Sequence, residues 1–279
     1  MVLTVIADMH AGAFGAAGVA ALDATRLEAD PGDVPAAVSE HVTVLPCRPT
    51  IACTADLVPP GALEIEAGVV GRRAGSLETR ATPLLVKLTI APWIQAQLAT
   101  NGYTATTGVD GARFVDDIAP GIKLHLVDQG PTVPSLAVSS ALSVPIPAEQ
   151  RGYVRTLDAF FTGYATKDFG PLHVDLNGGV NAWRIDGAAA AQGFGAVAFS
   201  TTLPPPFGVM AEAYVFSDAA PMAPRDGGFL FAVTHAPVPW LMFDFGGDVG
   251  WFPSTRAYSL FVGLTVVPVR LWHAVPKVD

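Results

Sequence analysis

The stretch Ala62-Leu-Glu-Ile-Glu-Ala-Gly-Val-Val70 decides the reading of this chain. Leu63, Ile65, Ala67 and Val69 fall on one side of an extended backbone and Glu64, Glu66 and Gly68 on the other, which is the period-two alternation of a β-strand with unlike faces. The same pattern returns to the end of the chain. Leu84, Val86, Leu88 and Ile90 oppose Lys87 and Thr89, and Ile122, Leu124 and Leu126 oppose Lys123 and His125. Leu172, Val174, Leu176 and Val180 oppose His173, Asp175, Asn177 and Asn181, while Leu241, Phe243, Phe245 and Val249 oppose Asp244 and Asp248. About twelve such segments of roughly nine to eleven residues can be marked out, the length a tilted strand needs to cross a bilayer.

Composition points the same way. Of the 279 residues 51% are hydrophobic and only 15% charged, against about 25% charged in ordinary soluble domains, and the mean hydropathy is +0.41. No stretch reaches the roughly 20 uninterrupted apolar residues of a helical span. An all-β, closed antiparallel up-and-down transmembrane barrel of about 12 strands reconciles an apolar chain with the absence of such a span, because its lipid-facing residues alternate with lumen-facing ones. The competing fold, a soluble β-sandwich, predicts that the apolar faces are buried between two sheets.

The connections are expected to alternate in length. Short ones are read at Ala91-Pro92, 128–134, 167–170, 204–206 and 236–239, and longer ones near 73–81, 103–116, 146–154, 184–189, 217–228 and 250–255. Short periplasmic turns opposite longer external loops would place both termini on the periplasmic side. Aromatics near strand ends (Trp93, Tyr103, Tyr153, Trp183, Phe207, Trp240, Trp251, Trp272) would form interface girdles. The barrel is expected over 61–272, preceded by an extended Pro-rich lead-in over 25–60 and followed by a tail, 273–279. Residues 1–24 read as a signal peptide or an N-terminal arm, without the Lys or Arg that usually opens a signal.

Several segments over Arg48–Trp272 add a resemblance. They are Val-Pro-Pro-Gly-Ala-Leu-Glu-Ile-Glu-Ala-Gly68, Pro-Leu-Leu-Val-Lys-Leu88, Ala-Pro-Gly-Ile-Lys123, Gly-Phe-Gly-Ala-Val-Ala-Phe-Ser-Thr-Thr-Leu-Pro204 and Gly-Gly-Phe-Leu-Phe-Ala-Val-Thr234. In these the chain resembles the outer-membrane β-barrel family of transporters associated with the meta pathway of phenol degradation. The resemblance implies a barrel of roughly twelve strands in the bacterial outer membrane and a passive route for small, hydrophobic or aromatic molecules. It implies no catalytic residues.

Charged residues are costly against lipid, so alternation assigns Glu64, Glu66, Lys87, Lys123, His125, Asp158, Asp175, Glu212, Asp244 and Asp248 to the lumen. This acidic set either fills a narrow barrel as hydrogen-bonded ladders or lines a path that favours cations. Phe160, Tyr164, Tyr214 and Phe261 are inward aromatics that could line a path for apolar solutes. Cys47 and Cys53 could close a small loop as a disulfide in an oxidising compartment; a metal reading lacks a second ligand pair.

Other chemistries find little support. A net charge of -9 without a Lys/Arg cluster leaves no footprint for nucleic acid. Gly193-Phe-Gly-Ala-Val-Ala198 matches a dinucleotide fingerprint in letters, but no helix is expected after it. The six histidines, at 10, 41, 125, 173, 235 and 273, show no ligand spacing, and no Gly-x-Ser-x-Gly elbow occurs. The expectation is therefore a barrel with no cofactor and no metal, in contact with outer-membrane lipid and a small solute. A non-conducting structural or surface-interaction barrel, plugged by its side chains with or without the N-terminal segment, and a barrel enzyme are the alternatives.

Overall fold

The computed structural model describes residues 42–107, 111–147, 157–185, 188–218, 225–250 and 257–272. The arm or signal over 1–24, the first part of the lead-in and the tail 273–279 lie outside these residues. Fifteen strands follow one another: β1 (Ala62–Ala74), β2 (Leu77–Ala81), β3 (Leu84–Ala91), β4 (Ile94–Thr100), β5 (Tyr103–Thr107), β6 (Arg113–Val115), β7 (Ile118–Val127) and β8 (Ser135–Ser143), then β9 (Asp158–Phe169), β10 (Leu172–Ile185), β11 (Ala188–Thr202), β12 (Phe207–Phe216), β13 (Asp226–Val238), β14 (Leu241–Gly250) and β15 (Ala257–Arg270).

The wall is an antiparallel meander of β1, β3, β4 and β7 to β15, twelve in all, and β15 pairs with β1 from Ala62↔Arg270 to Ala74↔Ala257. Closure removes both sheet edges, so every wall strand finds backbone partners on both sides. The three short strands extend neighbours beyond a common break. β2 continues into β3 across Thr82-Pro83, β4 into β5 across Asn101-Gly102, and β6 into β7 across Asp116-Asp117. Proline lacks a ladder donor, and Gly102 turns in the left-handed region (φ +62), where an added Cβ would stand 2.3 Å from the Thr82 carbonyl oxygen. Lateral bonds cross the break: Thr82 N donates to Asn101 O (3.1 Å), Asp116 N to Gly102 O (2.8 Å) and Asn101 Nδ2 to Asp116 Oδ2 (2.8 Å).

The faces sort as alternation requires. Phe245 is 61% exposed on the outside while its neighbour Asp244 is 2% exposed inside. Val69, Leu176, Phe231 and Leu260 are likewise exposed, and Glu64, Asp175 and Glu212 are buried. The sandwich alternative fails here, since the apolar faces are not covered by a second sheet. At the outer surface His235 lies between Phe207 and Phe243, with centroids 4.9 and 6.5 Å away. Replacing Phe245 by Arg should destabilise the folded barrel in phosphatidylcholine vesicles by about 2 to 4 kcal/mol, the cost of a cation near the bilayer midplane. The fraction migrating as folded barrel without boiling measures this; an unchanged fraction would contradict lipid contact at that face.

Three expectations about the connections change, the first being 184–189, where β10 runs to Ile185 and β11 starts at Ala188 in place of a longer loop. The stretches 73–81 and 103–116 hold strand rather than long loops: β1 and β2 meet across Gly75-Ser76, with Gly75 at φ 61, and β5 and β6 lie within 103–116. Towards their outer ends these strands leave the lipid, so both faces become polar and the alternation fades. Trp183, expected in a girdle, is instead buried in the lumen and meets Phe160 edge-on at 5.6 Å. Tyr153 and Trp251 lie outside the described residues. The chain enters at the end where β15 finishes, the same end as the tight turns Gly170-Pro171 and Pro239-Trp240, which identifies it as periplasmic.

Candidate functional site in the lumen

Residues 42–60 contain Pro46, Pro49, Pro59 and Pro60 and form no strand, yet most are buried. They run inside the barrel. A segment without a ladder must still satisfy its backbone donors, and here the inward side chains of the wall do so. Val44 N donates to Pro239 O (2.9 Å) at the periplasmic entrance. Leu45 N then donates to Glu64 (2.8 Å), and Cys47 N and Arg48 N donate to the two oxygens of Glu66 (2.8 Å each). Across the lumen Ile51 N (2.8 Å) and Ala52 N (2.5 Å) donate to the Glu212 carboxylate. Asn177 donates its side-chain amide to Cys53 O (3.0 Å) and accepts from Cys53 N (2.6 Å). Ala55 N donates to Thr166 Oγ1 (2.7 Å), and Asp56 accepts from Ser135.

The return to the wall is equally tied. Arg270 Nε donates to Pro60 O (3.0 Å) and Leu271 N to Gly61 O (2.7 Å). The segment thus touches β1, β3, β7, β8, β9, β10, β12 and β14 in one passage. Hydrogen bonds to ionised acceptors are about twice as strong as neutral ones.

The cations are placed by the same segment. Lys87 bridges Glu64 and Glu66 (2.6 Å to Glu66) and donates to Leu45 O (2.7 Å). Lys123 donates to Thr54 O and stands 4.4 Å above the Tyr164 ring. His125 Nδ1 contacts Ala55 O at 3.1 Å. Arg48 of the segment reaches Asp244 at 3.6 Å.

The resting place of Arg48 is cut into the wall. Gly68, Gly263 and Asp244 form one cross-strand row over β1, β15 and β14. A Cβ on Gly68 would lie 2.4 Å from Arg48 Nη2, and one on Gly263 2.6 Å from Nε. The two glycines therefore make the flat floor on which the guanidinium lies, with its carboxylate partner next in the row.

Cys47 and Cys53 are bonded, with Cα atoms 5.1 Å apart. The two residues belong to one buried cluster with Ala55, Leu85, Ala99, Ala119, Ala137 and Tyr164. The bond closes the turn that carries Arg48, Pro49, Ile51 and Ala52 into a compact ring.

Of the ten lumen residues expected from alternation, Glu64, Glu66, Lys87, Lys123, His125, Glu212 and Asp244 meet the internal segment directly. Asp175 supports it from behind, accepting from Thr166 Oγ1 (2.5 Å) and lying 3.2 Å from His173 Nε2. Asp158 lies elsewhere and accepts from Arg184 N (2.7 Å). Asp248 accepts from Tyr214 (2.8 Å) and Ser259. Sequence reasoning missed Arg48 and Thr166, placed Asn177 on the inner face without a partner, and did not pair the lead-in with the inward carboxylates. A clue was available: the inward acids outnumber the inward cations on the wall, and an extended segment rich in unpaired donors precedes them.

On the extracellular side of the segment lies a cavity of about 100 Å³, bordered below by Arg48 and Ile51 and at its sides by the apolar Tyr214, Phe216, Leu230 and Phe261 together with Arg72, Thr79, Asp248 and Ser259. The tips of the Tyr214 and Phe261 rings reach over Gly228 and Gly246, where a Cβ would approach them to 2.7 Å or less. Glycine at these two places keeps the rings against the wall and the centre open. Tyr164 and Phe160, the other expected inward aromatics, do not border this cavity. Gly193–Ala198 runs within β11 and so opens no helix that could receive a phosphate. Among the described residues no cluster of three or more His, Cys, Asp or Glu could hold a metal.

No family model and no curated protein matches the chain. Solved structures do. An outer membrane channel from Pseudomonas putida F1 superposes with a TM-score of 0.54 at 12% identity, covering 86% of this chain and 99% of that one. The KdgM porin (TM-score 0.43, 10% identity, 72% of this chain and 98% of that) and the CymD monoaromatic hydrocarbon channel (0.43, 7%, 77% and 89%) are more distant barrels. The fold is that of bacterial outer-membrane β-barrels.

Proposed function

We propose that this chain is a passive outer-membrane channel for small molecules, with its passage controlled at the internal segment. One observation carries this reading: the wall closes through its own backbone ladder, while the lumen is crossed by a segment tied to it mainly by hydrogen bonds and ion pairs beneath a cavity. A barrel needing only mechanical stability could fill its lumen with side chains. The finer reading, that the solute is apolar or aromatic, draws support from the walls of Tyr214, Phe216, Leu230 and Phe261 and from the resemblance to the family associated with phenol degradation.

Purified protein in planar bilayers is expected to give discrete conductance steps, and liposomes containing it should admit phenol faster than protein-free liposomes of the same lipid. Folded protein that neither conducts nor speeds phenol entry over the bare lipid would sink the proposal. It would leave the second reading, a permanently plugged structural barrel, which the contacts of the segment to so many wall strands favour.

A further inference from the structure

A second site faces outward. Gly71 of β1, Arg80 of β2, Ala105 of β5 and Arg113 of β6 stand in one cross-strand row, and the side chains of Arg80 and Arg113 are exposed on the outer face. One outward position nearer the membrane centre stand Tyr103 and Val115, paired with each other and about half exposed. That single step of two residues, about 7 Å of strand, passes from the lipid-facing belt to a pair of cations. The level is that of lipid headgroups, on the end of the barrel opposite the one where β15 finishes.

The two arginines are set two strands apart, roughly 10 Å between backbones, with only the methyl group of Ala105 between them. Their guanidinium groups can therefore converge over Ala105 on one anion. The acid nearest in the sheet is already engaged: in the next row out Glu78 pairs with Arg73 at 3.6 Å. Among the described residues neither Arg80 nor Arg113 meets a carboxylate. Planar guanidinium forks suit phosphate oxygens, which they bind two at a time.

We propose that Arg80 and Arg113 form a binding site for the phosphate of a phosphorylated glycolipid in the outer leaflet, with Tyr103 and Val115 beside its acyl region. The site is independent of whether the lumen conducts. Tight binding by one phosphate across two forks fixes a lipid at the broken part of the wall, where β2, β5 and β6 extend beyond the main staves.

The test uses the full chain folded in detergent micelles and titrated with bisphosphorylated lipid A, dephosphorylated lipid A and inorganic phosphate. The phosphorylated lipid should bind roughly 10- to 100-fold more tightly than the dephosphorylated one, the scale of a few charge-assisted hydrogen bonds. The variant R80Q/R113Q should lose that difference while keeping the heat-modifiable mobility of a folded barrel, R80K/R113K should retain part of it, and R73Q should retain it. Equal binding of the two lipids, or wild-type discrimination by R80Q/R113Q, would overturn the proposal. So would inorganic phosphate competing at the concentration of the lipid, which would mark a general anion contact.

Discussion

Excision of residues 42–58, with the start of β1 retained, should raise the single-channel conductance several-fold and make the channel cation-selective. A closed wall of twelve strands, tilted as membrane barrels are, spans about 24 Å between opposite backbones, and inward side chains take roughly half of that. Removing the segment leaves a continuous aqueous path. The exposed surface then carries Glu64, Glu66, Asp175, Glu212 and Asp244 against Lys87 and Lys123, a surplus of carboxylates that attracts cations. The expectation that the lumen favours cations would thus describe the emptied barrel, where water replaces the backbone donors of the segment. Heat-modifiable mobility verifies folding, and a folded excision variant with unchanged conductance would refute control by the segment.

Glu66→Ala should act on the same element by a smaller change. Its carboxylate accepts from both Cys47 N and Arg48 N and pairs with Lys87. Its loss leaves two buried donors and half of the compensation of a buried cation. Removing one partner of such a pair costs about 3 to 5 kcal/mol, so the thermal transition of the folded barrel should fall and conductance should fluctuate between a low and a high level. Glu66→Gln keeps an acceptor oxygen without the charge and should fall in between. An alanine variant as stable as the wild type, measured by equilibrium unfolding in vesicles, would mean that the segment does not depend on this anchor.

The parts that sequence alone conveyed are those carried by near neighbours. Leu63, Glu64, Ile65 and Glu66 reveal a half-wet strand because side chains of an extended chain alternate faces whatever lies around them. Where both faces meet water the signal disappears: Arg73, Glu78 and Thr79 read as loop although β1 and β2 run through them. Trp183 shows a different gap. Its place near a strand end suggested the membrane interface, but its face is that of Asn181, which points into the lumen.

By itself, the sequence determined a wall of about twelve strands, its two unlike faces and most of the charges that had to turn inward, because lipid on one side and a local period of two leave little freedom; the ion pair of Arg72 and Asp226 lay outside its reach. Only the tertiary structure decided what those charges do. Glu212 meets Ile51 from 161 positions away and Thr166 meets Ala55 from 111, and no local pattern encodes a meeting at that distance. It arises when closure of the barrel brings distant inward rows around one small volume. Unpaired backbone donors and buried carboxylates can then satisfy each other there, so the irregular Pro-rich segment becomes the centre of the lumen.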